Sequence, residues 1–347
     1  MRIAAVTLLA ALAVVPGASA SPKLGERVQI AATRAGFSGE VAVARHGHLI
    51  FAHGYGLADR GHGKRVTLDT SFNLASMGKM FTGVAAAQLV QEDKLRFRDP
   101  IGRYLPQLPA TLRRITVAEL LDHTSGLGDV FSDPGFERLR PALTTLAAYL
   151  PLITHEQLQF APGTRWSYSN SGFVLAGLVI EKASGERYDE YLRRRVWGPA
   201  GMKHTACYAR SSLPGFAAVG YLPGGTTNTS SLPPVGTSAG GCYSSARDLL
   251  AFARALEDAR LVSRALTKVI TTSKVRAPGG GYGFGFAVRT GHPSDPPTIW
   301  HNGGAPGAGG ELDINPRLGI VAVTLGNVGP PQVFPVVDAL LDNLRVP

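Results

Sequence analysis

Beyond its first twenty residues, the chain changes its hydrophobic period several times. Residues 23–35 carry helical spacing. Residues 39–44 and 48–54 follow strand spacing, with Val41, Val43, Leu49 and Phe51 as β formers. They predict a hairpin around His46-Gly47. Residues 71–73 then lead into a helix over about 76–92, where Phe81, Val84, Ala85, Gln88 and Leu89 recur at helical intervals. That helix has few polar positions, which predicts burial on most sides. After Asp99-Pro100 comes a short helix at 116–121 and a turn at 123–126. Helical patterns follow at 142–153, 172–184, 188–196 and 245–256, with a turn at Ala161-Pro162-Gly163. Strand signals return at 282–288, 298–300, 310–314 and 319–325, before a closing helix over 333–344.

Strands, a long helical run, strands again and a final helix predict an α+β fold, not alternating βα units. The expected architecture is an antiparallel β-sheet flanked by helices plus a mainly helical lobe. The sheet lobe takes residues 21–70 and 275–347, and the helical lobe takes 71–274. The C-terminal strands are expected to join the N-terminal hairpin in one sheet, leaving a cleft between the lobes as the place for a site.

The first twenty residues are a different material. Arg2 supplies a positive start, residues 4–15 are apolar, and Ala18-Ser19-Ala20 is a small-x-small cleavage pattern. This reads as a secretory signal peptide at 1–20, leaving 21–347 as one mature domain in the periplasm or outside the cell. The rest of the chain predicts no stable membrane span. Export sets the redox context of the two cysteines, Cys207 and Cys242, which are candidates either for one bridge or for two buried thiols. The net charge of +10 is scattered and does not point to nucleic acid. Two cysteines without paired histidines, and a run of His46, His48, His53 and His62 on a hairpin and its loop, predict no metal and no cofactor.

The strongest local chemistry is Ser76-Met77-Gly78-Lys79. Residues three apart share a helix face, so Lys79 can bring its amine to the Ser76 hydroxyl. A serine needs a base before it attacks, and a lysine serves only where burial or charge lowers its pKa. Alone, this spacing is common by chance. Two further segments accompany it. Tyr168-Ser169-Asn170 precedes an apolar helix, and His301-Asn302-Gly303-Gly304 follows a strand expected to end at Trp300, its glycines allowing close backbone approach.

With these three segments in this order, the chain resembles the β-lactamase-related serine hydrolase superfamily: class C β-lactamases, D-alanyl-D-alanine carboxypeptidases and related esterases. Stretches at 115–127, 239–249 and 282–285 are also similar, so the resemblance covers about residues 37–327. It implies catalytic roles for Ser76, Lys79, Tyr168 and His301. Ser76 would be acylated, Lys79 and Tyr168 would move the proton, and Tyr168 would be a candidate phenoxide base. It implies an oxyanion site at the Ser76 and Gly304 amides, with Asn170 and Gly303 orienting the substrate. Class C β-lactamases usually carry Lys where this chain has His301, a group only partly charged near neutral pH. No Glu-x-x-Leu-Asn segment of the class A type occurs; Glu156-Gln157-Leu158-Gln159 matches in spelling only.

Gly236-Thr237-Ser238-Ala239-Gly240 spells the G-x-S-x-G elbow of another hydrolase fold, but Pro233-Pro234 precedes it where a central strand is required. The expected substrate is a small molecule or peptide, peptidoglycan included, attacked at an amide, ester or β-lactam carbonyl. The alternatives are a carboxylesterase of the same family and a non-catalytic envelope protein that binds peptidoglycan or peptides.

Overall fold

The computed structural model describes residues 22–289 and 297–344, so the leader expected at 1–20 lies outside the described residues. The strands are β1 (Gly39–Arg45), β2 (His48–Tyr55), β3 (Leu57–Asp59), β4 (Lys64–Arg65), β5 (Ser71–Asn73), β6 (Tyr243–Ser245), β7 (Val275–Ala277), β8 (Gly280–Tyr282), β9 (Ala287–Arg289), β10 (Thr298–Ala305), β11 (Ala308–Asn315) and β12 (Ile320–Gly326). Eight of them form one antiparallel sheet in the order β2-β1-β12-β11-β10-β9-β8-β7. The two ends of the chain meet in it, with Val41 opposite Thr324 and Val43 opposite Ala322. The β1–β2 turn uses positive φ at both His46 and Gly47, as a tight hairpin requires.

β1 is buried at every position but its last, because both faces of the sheet are covered. Alternation sorts its side chains. Val41 and Val43 pack with Val28, Val333 and Val336 under the helices Pro22–Ala35 and Pro330–Leu344. Ala42 and Ala44 join Phe81, Phe252 and Leu312 in the larger core on the other face. The helix Lys79–Gln91 runs through that core and is buried from Lys79 to Leu89. Phe81 meets Trp197 and Phe252 edge to face at 5.9 and 4.9 Å.

Residues 71–73 do not enter the helix directly; they form β5, paired with the distant β6. The stretch 282–288 is two short strands separated by a turn, because the Gly283 and Gly285 amides bond Phe286 O and Leu121 O. β10 runs on past Trp300, so Gly303 and Gly304 lie inside a strand opposite Gly310 and Gly309. The pattern at 142–153 breaks into the turn Leu146–Tyr149, capped by Thr145, and the helix Leu150–Ile153, which carries Pro151 in its first turn. A helix at Arg264–Thr271, capped by Ser263, lies outside the elements predicted from periodicity. Cys207 and Cys242 form a disulfide. No helix of the described residues is long and apolar enough to cross a membrane.

Candidate active site

Ser76 is the one position from 70 to 89 that is not buried. The backbone brings it out abruptly. β5 ends at Asn73, whose Oδ1 accepts the Ala75 amide at 2.8 Å, and Ala75 takes a φ of +43°. A non-glycine residue in that region stores strain, which a surrounding structure must hold in place. The hold comes from Gly241, whose amide donates to Ala75 O at 3.0 Å. The 3-10 turn Ala75–Gly78 follows and passes into the helix Lys79–Gln91.

Lys79 is fully buried. Its Nζ donates to Ser76 Oγ at 3.2 Å, Asn170 Oδ1 at 2.7 Å and Ala239 O at 2.6 Å. It also lies 4.7 Å from the centre of the Tyr168 ring. Burial pulls its pKa from 10.5 down to about 7, and the negative charge of Asp129 resists that fall.

Tyr168 and Asn170 flank the start of the helix Asn170–Ser184, whose N-cap is Ser169, accepting from the Gly172 amide at 2.9 Å. The Asn170 amide is oriented at both ends: Oδ1 receives Lys79 and Nδ2 donates to Asp129 Oδ1 at 3.0 Å. Burial raises the Tyr168 phenol well above 10, while its hydrogen bond with Ser76 works downward. The resting group is therefore a phenol. Its ring packs on His123 at 4.3 Å. His123 accepts the Ser169 amide on Nδ1 at 3.0 Å, which ties the turn at 123–126 to this corner.

His301 differs from its expected character. It is buried, and its ring is clamped: Nδ1 lies 2.6 Å from Asn302 O and Nε2 lies 2.8 Å from the Tyr282 hydroxyl. The carbonyl can only accept, so Nδ1 carries the proton and Nε2 accepts from Tyr282. Burial and the neighbouring Lys79 push its pKa down to about 3. His301 is thus a neutral imidazole near pH 7, not a partly charged group. The cavity wall on this side is Gly304, while Gly303 packs so tightly that a Cβ there would fall 2.2 Å from Leu74 O.

A cavity of about 380 Å³ opens over Ser76. Besides Ser76, Asn170 and Gly304, its wall includes Asp129, Phe131 and Arg210, residues that the sequence motifs did not single out. Asp129 lies two residues beyond the similar stretch 115–127. Glu156, set aside by spelling, accepts from Ser171 Oγ and from the Gly128 amide and so holds the loop that presents Asp129. Ser238 is fully buried, and its Oγ has no hydrogen-bond partner among the described residues. Its segment serves the site through main chain, giving the Ala239 carbonyl to Lys79.

Comparison with known proteins places this geometry. The chain matches the beta-lactamase family model over residues 26–346. It is 30% identical over 304 residues to penicillin-binding protein 4* of Bacillus subtilis (strain 168), a match covering 82% of this chain and 65% of that protein. The chain thus spans less than two thirds of the length of the Bacillus subtilis relatives it matches. A penicillin binding protein from Bacillus halodurans superposes with a TM-score of 0.84 and 30% identity, over 91% of this chain and 99% of that one. The D-amino acid amidase from Ochrobactrum anthropi SV3, solved with L-phenylalanine amide, superposes with a TM-score of 0.78 and 25% identity, over 93% and 99%.

Proposed function

The chain belongs to the beta-lactamase family of serine hydrolases, and from that premise we propose that Ser76 is its nucleophile and Lys79 the base that activates it. The observation that carries this reading is the buried Lys79 amine 3.2 Å from the one accessible hydroxyl of its segment. An ammonium spends its three N–H groups on Asn170, Ala239 and Ser76. On losing a proton it keeps the two shorter bonds and turns its lone pair to Ser76. With a pKa of about 7, that neutral form is well populated near neutral pH.

Ser76 Oγ attacks the substrate carbonyl and Lys79 takes its proton. The oxyanion that forms is bound by the amides of Ser76 and Gly304. The C–N or C–O bond then breaks, and the leaving group departs with a proton relayed through Tyr168, which enters the step as a phenol. Water reverses the sequence on the acyl-enzyme and frees the acid. Asn170 orients Lys79 and the substrate carbonyl. His301, neutral and hidden, steadies Tyr282 and the strand carrying Gly303 and Gly304.

The substrate is an amide, ester or β-lactam carbonyl, and the penicillin-binding and amidase relatives favour peptide-like amides over simple esters. The protein acts in the periplasm or outside the cell after cleavage near Ala20. The leader pattern and the Cys207–Cys242 bridge support export, since such bridges persist in oxidising compartments.

Intact-mass analysis of wild type and Ser76→Ala after exposure to a β-lactam and to a p-nitrophenyl ester tests this. An adduct or turnover confined to wild type is the expected result. Turnover surviving in Ser76→Ala would overturn it, and reaction with neither reagent would favour a peptidoglycan-binding role.

A further inference from the structure

We propose that Arg210 is an anion subsite of the cavity over Ser76, and that the preferred substrate carries a carboxylate which this guanidinium binds. The proposal rests on the reading of Ser76 as the reacting residue.

Arg210 opens the turn Arg210–Ser212, just beyond the bridged Cys207, and is only 8% exposed. Its backbone and side chain are both held. The amide donates to Pro234 O at 2.9 Å, Nε donates to Pro233 O, and Nη1 donates to the Tyr243 hydroxyl at 3.3 Å. Nη2 faces Gly241, where a Cβ would lie 3.6 Å away, and Gly241 is the residue that bonds Ala75 O beside the serine. The guanidinium is therefore fixed in the wall of the cavity that also holds Ser76.

Among the described residues no carboxylate pairs with it; Tyr149 and Tyr243 are the groups it feels. Burying a charge without a counter-charge is costly, and a purely structural arginine is normally paired. The acids sharing the cavity are otherwise engaged: Asp129 receives Asn170 Nδ2 and the Phe131 amide, and Glu137 pairs with Arg140. Nor can another group supply the positive charge. Lys79 is committed to three acceptors and His301 is clamped as a neutral ring. Of the five guanidinium N–H groups, those beyond the Nε and Nη1 bonds remain for a ligand, and a planar carboxylate matches their fork.

Arylboronic acids, which form reversible tetrahedral adducts with an active serine, test this on the full chain. Inhibition of p-nitrophenyl acetate hydrolysis is measured with 3- and 4-carboxyphenylboronic acid and with their carboxamide isosteres. In wild type at least one carboxylate should bind roughly ten- to hundred-fold tighter than its amide. Arg210→Met should bring that ratio near one, and Arg210→Lys should recover part of it, which a merely structural role would not do. No preference in wild type, or a preference that survives in Arg210→Met, overturns the proposal. Noncovalent binding of benzoate against benzamide to Ser76→Ala reads the subsite without the nucleophile. If Arg210→Met does not fold, that comparison in Arg210→Lys decides. Failure of every boronic acid, with the benzoate preference intact, would count against Ser76 and leave Arg210 standing.

Discussion

Ser76 and Ser238 occupy touching segments of one wall, and each sits in a recognisable hydrolase motif. Ser76 follows a strained Ala75, reaches the surface and has Lys79 within 3.2 Å. Ser238 is sealed against Gly177, where an added Cβ would fall 2.1 Å from its oxygen, and among the described residues no group bonds that oxygen. What it offers is its carbonyl, which accepts from Thr82 Oγ1 at 2.8 Å, and the neighbouring carbonyl of Ala239. The lesson is that a nucleophile needs exposure, a base and a place for the oxyanion together. Of the two serines, only Ser76 sits where the first two meet beside Gly304.

The largest effect that would break this comparison is at the serine itself. Ser76→Ala should lower kcat/KM roughly a thousand-fold or more, as removal of a nucleophile does. Next comes the base. Lys79→Met should bring a loss of similar order, and wild-type kcat/KM should carry an acid limb near pH 7. The sign follows from the depressed pKa: the neutral amine exists above about 7 and is lost as pH falls through it. Asp129→Asn removes a charge that holds this value up, so the limb should move to lower pH; an upward move would refute the assignment.

A smaller effect lies in the packing between the two segments. A Cβ on Gly240 would fall 2.0 Å from Ala75 O, and the residue has φ +137°. Gly240→Ala should therefore destabilise by about 2–3 kcal/mol in denaturant unfolding. At Gly224, also at positive φ but with open space around it, alanine should lose only about 1 kcal/mol. The smallest expected effect is Ser238→Ala, with kcat/KM within about threefold of wild type, because its hydroxyl has no hydrogen-bond partner among the described residues. A large loss there would remove the distinction between the serines.

Much of the fold was readable because its signals are local. The β1–β2 hairpin and the helices over 79–91 and 170–184 follow from period and turn chemistry. Where reading failed, a remote partner had intervened. Residues 71–73 are a strand only because Tyr243–Ser245 lies alongside. β10 runs to Ala305, beyond where its pattern fades, because β11 continues to pair with it. At the site, Ser76, Lys79, Tyr168, Asn170, Gly303 and Gly304 were named from motif spacing and resemblance, and the structure gathers Ser76, Lys79, Tyr168, Asn170 and Gly304 around one corner. His301 is named too, but its charge depends on burial and on the neighbouring Lys79, which no spacing reveals. Arg210 belongs to no pattern, and Ala239, though inside the similar stretch 239–249, gives no sign in sequence that its carbonyl would meet Lys79.

By itself, then, the sequence determined which residue types stand one helical turn apart, which stretches are apolar enough to be buried, and which family the chain resembles. Tertiary structure alone decided what state those groups are in. A lysine's proton affinity depends on how completely water is excluded and on which acceptors surround it, and Lys79 is fully buried and takes two of its acceptors from residues 170 and 239. An arginine becomes a candidate binding group only when folding places it against a cavity without an acid beside it. Those are properties of three-dimensional neighbours, and the chain order does not contain them.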